Sequence, residues 1–303
     1  MRVEFYYDSP EMGNQISHHV AAELLLNKCK ETYNNIEFKK IDARQHLLDN
    51  NLEYHPEGKY SPFFTMILNP DNGKYFLISY WDKLYQVLEN YGNKWDLENC
   101  VETFSALGIH RDDIHYKDAG LKYTPISYFS ITQHGEKKVE ELYLNEKVIP
   151  SKPFFRGGKY LFRKWISDND NRFEIDHNRV YFDESVAELA KYSINIDLPS
   201  VAEITSRTIE AMGLKTALIR PKLTLKFHND LIPGFHYAAV DCDDVSDYQK
   251  LADAYIDKFE YLKANPDYVK FLSENGRKWY EENGTIDAHT NILLKLIDFE
   301  KLK

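Results

Sequence analysis

The order of the first three patterned segments limits most strongly what this chain can fold into. Residues 2–7, RVEFYY, are a short β-rich run closed by Asp8-Ser9-Pro10 and then Gly13-Asn14. Residues 16–30 follow with Ile16, Val20 and Leu24 at helical spacing and a heavier cluster at 24–26; residues 36–41 return to a β-rich pattern. Strand, loop, helix and strand in that order open a parallel α/β unit, because parallel strands need a crossover long enough to hold a helix.

Further along, residues 63–68 and 74–80 flank NPDNG, a turn sequence that suits a hairpin or a strand with an extension. Residues 81–91 and 95–107 read as helices, the second ending at Gly108, and 123–132 as a strand. Residues 139–149 are charged and poorly patterned, and Pro150-Ser151-Lys152-Pro153 interrupts any regular element. That interruption divides the chain into an N-terminal domain, 1–149, and a C-terminal domain, 150–303, whose last helix can cross back. In the second half, 160–167, 184–192, 247–264, 266–283 and 287–302 read as helices, and 179–182, 193–198, 216–219 and 237–240 as strands. The expected fold class is α/β, with two Rossmann-like domains facing a cleft.

Composition bears on setting and partners. With 303 residues, 43% of them hydrophobic and 28% charged, the chain can bury a substantial core. A net charge of −10 opposes general attraction to phosphate backbones or anionic membranes, though not a local basic groove. The three cysteines, Cys29, Cys100 and Cys242, are widely spaced, which points away from a disulfide framework and towards a reducing, cytoplasmic location, the host cytoplasm for a viral chain. No run approaches the ~18–20 apolar residues of a membrane span.

Two constellations can carry chemistry. The first is AEITSRTIEAMG, 202–213, read as a helix that begins shortly after Pro199-Ser200. A helix N-terminus attracts phosphate, and Arg207 can fork onto a diphosphate. Ser206 stands beside it, Glu203 and Glu210 can accept from ribose or sugar hydroxyls, and Gly213 is placed to end the helix in a glycine conformation. The same letters also describe a solvated surface helix with a Glu203–Arg207 pair at i,i+4. The second is PFFRGGKYLFRKW, 153–165. Gly157 and Gly158 let the backbone approach a ligand, and Arg156, Lys159 and Arg163 can all lie near a phosphate at the helix start that follows, although a plain entry turn is written this way too.

The FFRGG segment, the SINID strand with Ser206-Arg207 beyond it, and the LIPGFHYAAV stretch with His236-Tyr237 follow one another in a set order. In these features residues 150–290 resemble the C-terminal half of the capsule-associated and protein O-glucosyl/O-xylosyltransferase family, which has the GT-B fold. The first half matches in its α/β layout. The resemblance implies a glycosyltransferase, hexosyl or pentosyl, taking its sugar from a nucleoside-diphosphate sugar, uridine-linked, on the C-terminal domain. It implies that Arg156 and Arg207 bind the diphosphate, with Lys159 as a second cation, Glu203 near the ribose and His236-Tyr237 near the nucleotide, a packed strand pair being the other reading of those two residues. It also implies inversion at the sugar carbon without a divalent metal or other cofactor. The chain departs from the retaining GT-B pattern, which has seven residues between two glutamates; Glu203 and Glu210 have six.

An inverting displacement needs a proton acceptor, and in the family it is an aspartate of the N-terminal domain at a strand end. Asp82, closing KYFLISYWD, fits that description, as it fits a helix N-cap. Asp8, His18 and His19 in the first βα loop are alternatives, a histidine there titrating near working pH or serving only as a surface or capping residue. Asp241-Cys242-Asp243 spells the DxD metal motif of GT-A enzymes, yet more simply sets acids at the start of the next helix. His110 and His115 form no metal-ligand pair with the others. The acceptor stays open between a saccharide, a protein hydroxyl and a hydroxymethylated base in phage-type DNA. A non-catalytic nucleotide-sugar-binding protein is the reading from another class. Neither the oligomeric state nor the sugar is fixed by the sequence.

Overall fold

The computed structural model describes residues 1–8, 16–52, 64–80, 96–106, 109–110, 123–126, 133–178, 180–199, 203–242 and 244–303. In the first part of the chain its elements are β1 (Arg2–Tyr7), α1 (Ile16–Thr32), β2 (Glu37–Asp42), α2 (Ala43–Asp49), β3 (Phe64–Leu68), β4 (Tyr75–Ser79), β5 (Cys100–Ser105), β6 (Ile109–His110), β7 (Tyr123–Pro125) and α3 (Gln133–Leu142). There follow β8 (Phe154–Arg156), α4 (Leu161–Asn169), β9 (Glu174–Asp176), α5 (Phe182–Leu189), β10 (Ile194–Ile196), α6 (Ser206–Gly213), β11 (Ala217–Pro221), β12 (Leu225–Lys226), β13 (Ala238–Val240), α7 (Tyr248–Ala264), α8 (Pro266–Trp279) and α9 (Ile286–Leu296). They group into two units. Unit 1 holds residues 1–133, 225–229 and 285–303; unit 2 holds 134–224 and 230–284.

Unit 1 is built on a six-stranded sheet in the order β2-β1-β3-β4-β5-β7. β1 pairs in parallel with β2 across α1, and β4, β5 and β7 are parallel to one another. β3 runs antiparallel to both neighbours. The cause is local: NPDNG makes the tight turn of a hairpin, with Gly73 at φ 78° and the Asn69 N–H donating to the Lys74 carbonyl at 2.9 Å. So short a connection leaves no length for a crossover helix. Val3, Phe5 and Tyr7 of β1 point to one core with Leu25 and Leu26 of α1 and Leu293 of α9. Lys28 fastens the two helices through Asp287 and Asn291, at 2.6 Å each.

Unit 2 contains the parallel ladder β10-β11-β13 and the parallel pair β8-β9, with β8 beside β10. The strands therefore lie in the order β9, β8, β10, β11, β13, and the chain order reverses between β8 and β10. Phe155, Ile196, Ile219 and Val240 meet Leu251, Tyr255 and Phe259 of α7 in its core.

Three expected elements come out differently. Of the helix expected at 95–107, the described residues 96–106 form none: a 3₁₀ turn at Leu97–Asn99 leads into β5, whose Val101, Thr103 and Phe104 suit a strand paired on both sides. The strand expected at 179–182 lies earlier, at β9, and Phe182 already opens α5. The charged stretch from 139 closes an amphipathic helix, α3, with Val139 buried and Glu140 exposed. No helix among the described residues is long and apolar enough to cross a membrane.

Candidate functional site

In open α/β sheets, ligands bind beyond the carboxyl ends of the strands where the strand order reverses. In unit 2 that place lies between β8 and β10, and most of the expected donor-binding residues meet there. Arg156 ends β8 and Asp176 ends the neighbouring β9; the Arg156 Nε donates to the Asp176 carboxylate at 2.7 Å. The Asn178 N–H and Arg156 together hold that carboxyl below its usual range. Gly157 follows with its N–H on the Asp176 carbonyl at 3.0 Å. A Cβ at Gly157 would stand 2.8 Å from the Phe155 ring, and one at Gly158 2.7 Å from the Tyr160 ring, so each glycine permits a close approach of the backbone. Lys159 is exposed beside them.

Two further guanidinium groups close on this loop. Arg207 and Arg163 lie over the Phe155 ring at 4.8 and 4.5 Å from its centroid. The Arg207 Nη2 donates to the Arg156 carbonyl at 2.5 Å, while its Nη1 is enclosed without a partner. The Arg163 Nη2 donates to the Leu198 carbonyl at 2.6 Å, and its Nε is likewise unpartnered. Burial pushes the pKa of both down; Glu210 and then Asp197 oppose it for Arg207, and Asp197 for Arg163. Such enclosed, incompletely bonded cations cost free energy that an arriving anion can return.

Helix α6 contributes its N-terminus. The expected start after Ser200 is too early, because the helix begins at Ser206. The hydroxyl of its N-cap Thr205 is turned away, to the Asp197 carboxylate at 3.0 Å, so no side chain caps the helix and no acidic residue sits in its first turn. The positive end of the helix is thus left for an anion, with Arg207 beside it. Glu203 precedes the helix and does not pair with Arg207. Its carboxylate accepts from the Thr224 N–H and, at 2.6 Å, from the Thr224 hydroxyl. Glu210 is buried beside Arg207, and burial raises its pKa against the pull of Arg207 and of a hydrogen bond from Ser206. Gly213 does not take a left-handed conformation; Lys215 does, at φ 57°. The glycine is needed for space instead, since a Cβ there would stand 2.6 Å from Val139.

Asp197 and Arg220 carry no motif, and the sequence gives no local sign of their part in the site. Both are 2% exposed. Asp197 takes the hydroxyls of Thr205 and Thr208, the latter at 2.7 Å, and faces Arg220 at 3.7 Å. Arg220 in turn donates to the Thr208 hydroxyl and the Glu203 carbonyl. This buried knot fixes the start of α6 against β10 and β11.

His236 plays a local part: its Nδ1 accepts from the Ile232 N–H at 2.9 Å, and burial lowers its pKa to about 4. Tyr237 is fully buried and its hydroxyl accepts from the Leu223 N–H at 3.1 Å. Asp241 pairs with Lys258 at 2.9 Å, and the cap of α7 is Asp247, not the DxD triplet; Asp243 lies outside the described residues. Among the described residues no group of three or more His, Cys, Asp or Glu is placed to hold a metal. An open groove of about 600 Å³ runs along α7 between Asp241 and Tyr261, apart from Arg156, Arg163 and Arg207.

In unit 1, Asp8 stands just past the end of β1, 5% exposed, with Oδ1 lacking a hydrogen-bond partner. Burial raises its pKa, Asp42 adds to the rise, and Arg44 opposes it. His19, in the first turn of α1, is 3% exposed and neither ring nitrogen is bonded. Burial lowers its pKa, which moves it away from the working range expected for a titrating histidine in this loop. An enclosed carboxylate oxygen without a partner at a strand end is a departure from ordinary packing. The His18 side chain, Gly13, Asp82 and His115 lie outside the described residues.

No family model and no curated protein matches the chain. Among solved structures it is similar to a glycosyltransferase from Rickettsia africae ESF-5, at 12% identity and a TM-score of 0.48, over 96% of this chain and 94% of that one. It is similar to Anabaena Alr3699/HepE in complex with UDP-glucose at 10% identity and a TM-score of 0.46, over 98% and 99% of the two chains. For sucrose-phosphate synthase from Thermosynechococcus elongatus the values are 11% and 0.43, over 93% and 71%. At this distance the likeness assigns no residue a role.

Proposed function

We propose that the chain is a GT-B glycosyltransferase that moves a sugar from a uridine-diphosphate sugar to an acceptor hydroxyl, with inversion and without a metal. The observation that carries this reading is the pair of enclosed, incompletely bonded guanidiniums, Arg207 and Arg163, at the strand-order reversal beside Arg156 and the uncapped start of α6. That arrangement suits a diphosphate: several fixed cationic donors converge where two linked anionic groups would sit. As the bond from the sugar carbon to the diphosphate oxygen breaks, negative charge grows on the leaving group, and donors already in place stabilise it. In this reading Arg156, Arg207 and the helix dipole supply the charge that a divalent ion supplies elsewhere; Lys159 adds a cation from the exposed loop. The acceptor oxygen forms the new bond to the sugar carbon, and its proton passes to a carboxylate. Asp8 is the described residue that fits this role, its raised proton affinity suiting a base; Asp82 and His18 are the other candidates.

Thermal melting of the protein with a panel of nucleotide sugars, including UDP-glucose, UDP-xylose and GDP-mannose, tests the reading. A ligand at 100 times its Kd adds about 2.7 kcal/mol, so one uridine-diphosphate sugar should raise the melting temperature by several degrees. That rise should disappear in Arg207→Ala and survive EDTA. If no nucleotide sugar shifts the wild-type melt, the chain is not a transferase of this kind.

A further inference from the structure

Directly after β9 stands His177, half-buried beside the glycine loop. Asp176 before it takes Arg156 on one carboxylate oxygen and the Asn178 N–H on the other, at 2.7 and 2.8 Å, and so fixes the turn that presents the ring. The His177 Nδ1 lies 2.8 Å from the Gly157 carbonyl oxygen. A carbonyl only accepts, so Nδ1 donates, and in the neutral tautomer the lone pair is at Nε2. That Nε2 is closed off from water and has no hydrogen-bond partner. Arg207 is arranged in the same way one residue earlier: Nη2 is held by the Arg156 carbonyl and Nη1 is left over. Two consecutive carbonyls of the glycine loop thus each hold a side chain by one nitrogen and leave a second unbonded.

The two spare nitrogens differ in sense. Arg207 offers N–H, which suits a phosphate oxygen. The imidazole offers a lone pair, which repels a phosphate oxygen and calls for an O–H hydrogen. A nucleotide sugar carries both kinds of group in one molecule, since its diphosphate is flanked by hydroxyls of the ribose and of the sugar. We infer that His177 is a donor-recognition residue whose Nε2 accepts a hydroxyl hydrogen of the bound nucleotide sugar. The inference rests on the donor-site reading above and extends it from charge to hydroxyl recognition.

Two variants separate recognition from simple anchoring of the loop. In His177→Asn the amide nitrogen replaces Nδ1 and keeps the bond to Gly157, but nothing remains at the Nε2 position. In His177→Gln the amide reaches the Nε2 position and the anchor is lost. By isothermal titration with UDP-glucose, the asparagine variant should bind about tenfold more weakly than wild type, the usual consequence of losing one buried hydrogen bond, and the glutamine variant should keep most of the affinity. Loss in the glutamine variant alone, or equal loss in both, overturns the inference. In a second arm the wild type is titrated with UDP, 2′-deoxy-UDP and 3′-deoxy-UDP. Weakening by a similar factor, relative to UDP, is expected in one deoxy nucleotide when the hydroxyl belongs to the ribose; UDP lacks the whole glucosyl group of UDP-glucose, so its weaker binding counts for a sugar hydroxyl only when His177→Asn binds UDP as tightly as the wild type does. No such weakening in any of the three overturns the inference while leaving the donor site standing. A wild type that binds none of these ligands overturns both.

Discussion

His236 holds its turn by accepting a hydrogen bond from the Ile232 N–H, and an imidazole nitrogen accepts only while it is unprotonated. Burial lowers the folded-state pKa to about 4, from an ordinary 6.5. The unfolded chain therefore binds more protons across that window, so stability is lost as the pH falls from about 6.5 to about 4. The loss is at most about 3 kcal/mol and smaller for a ring that keeps some solvent contact. His236→Asn keeps an acceptor oxygen near the Nδ1 position and removes the titration. Urea unfolding at pH 7 and pH 4.5 should show a smaller loss for the variant than for wild type; equal losses would assign the acid sensitivity elsewhere. The residue also shows what single letters conceal. His236 was expected near the nucleotide from the stretch around it, and the bond its Nδ1 takes from its own backbone has no sequence signature. That Arg156 and Arg207 come together was legible, because glycines and a helix start surround them. Asp197 and Arg220 were not legible, since their meaning arises only when β10, β11 and α6 come together.

Helix α6 runs from Ser206 to Gly213. Its composition was read correctly as a helix ending near Gly213, but its beginning and the reason for the glycine were not. The buried Asp197 captures the hydroxyl of Thr205, and a tertiary contact of that kind has no local signature. Gly213 lies in ordinary helical backbone against Val139 and Tyr280. Gly213→Ala should therefore destabilise unit 2 by about 1–3 kcal/mol through overpacking, although alanine is the better helix former. A thermal melt checks the sign, because a stabilised variant would mean that Val139 and the Tyr280 ring give way freely. Strand β5 makes the same point from the other side. Its apolar residues admit a helical reading, and only pairing with β4 and β7 on either edge decides for a strand.

Across the whole molecule, sequence order and unit membership part company at the C-terminus. Residues 285–303 belong to unit 1, the unit that also contains the first strand. They bring Ile286, Ile292, Leu293, Ile297, Phe299 and Leu302 into its core, each no more than 7% exposed. The Leu302 carbonyl accepts from the Asn69 side chain at 2.8 Å, which ties the end of the chain to the β3–β4 turn. Burying a side chain of this size contributes about 1.5–3 kcal/mol, so six of them match the roughly 5–15 kcal/mol by which a whole domain is stable. Removing residues 285–303 should leave unit 1 unable to hold its sheet. None of these side chains belongs to the core of unit 2, whose buried ladder should persist. Amide hydrogen exchange on the truncated chain distinguishes the two: the β1 amides of Val3 to Tyr7 should lose protection while those of β11 at 217–219 keep it. Retained protection in β1 would show that the first 133 residues fold without their C-terminal return, and the apolar contacts of α9 would then be worth far less than their burial implies.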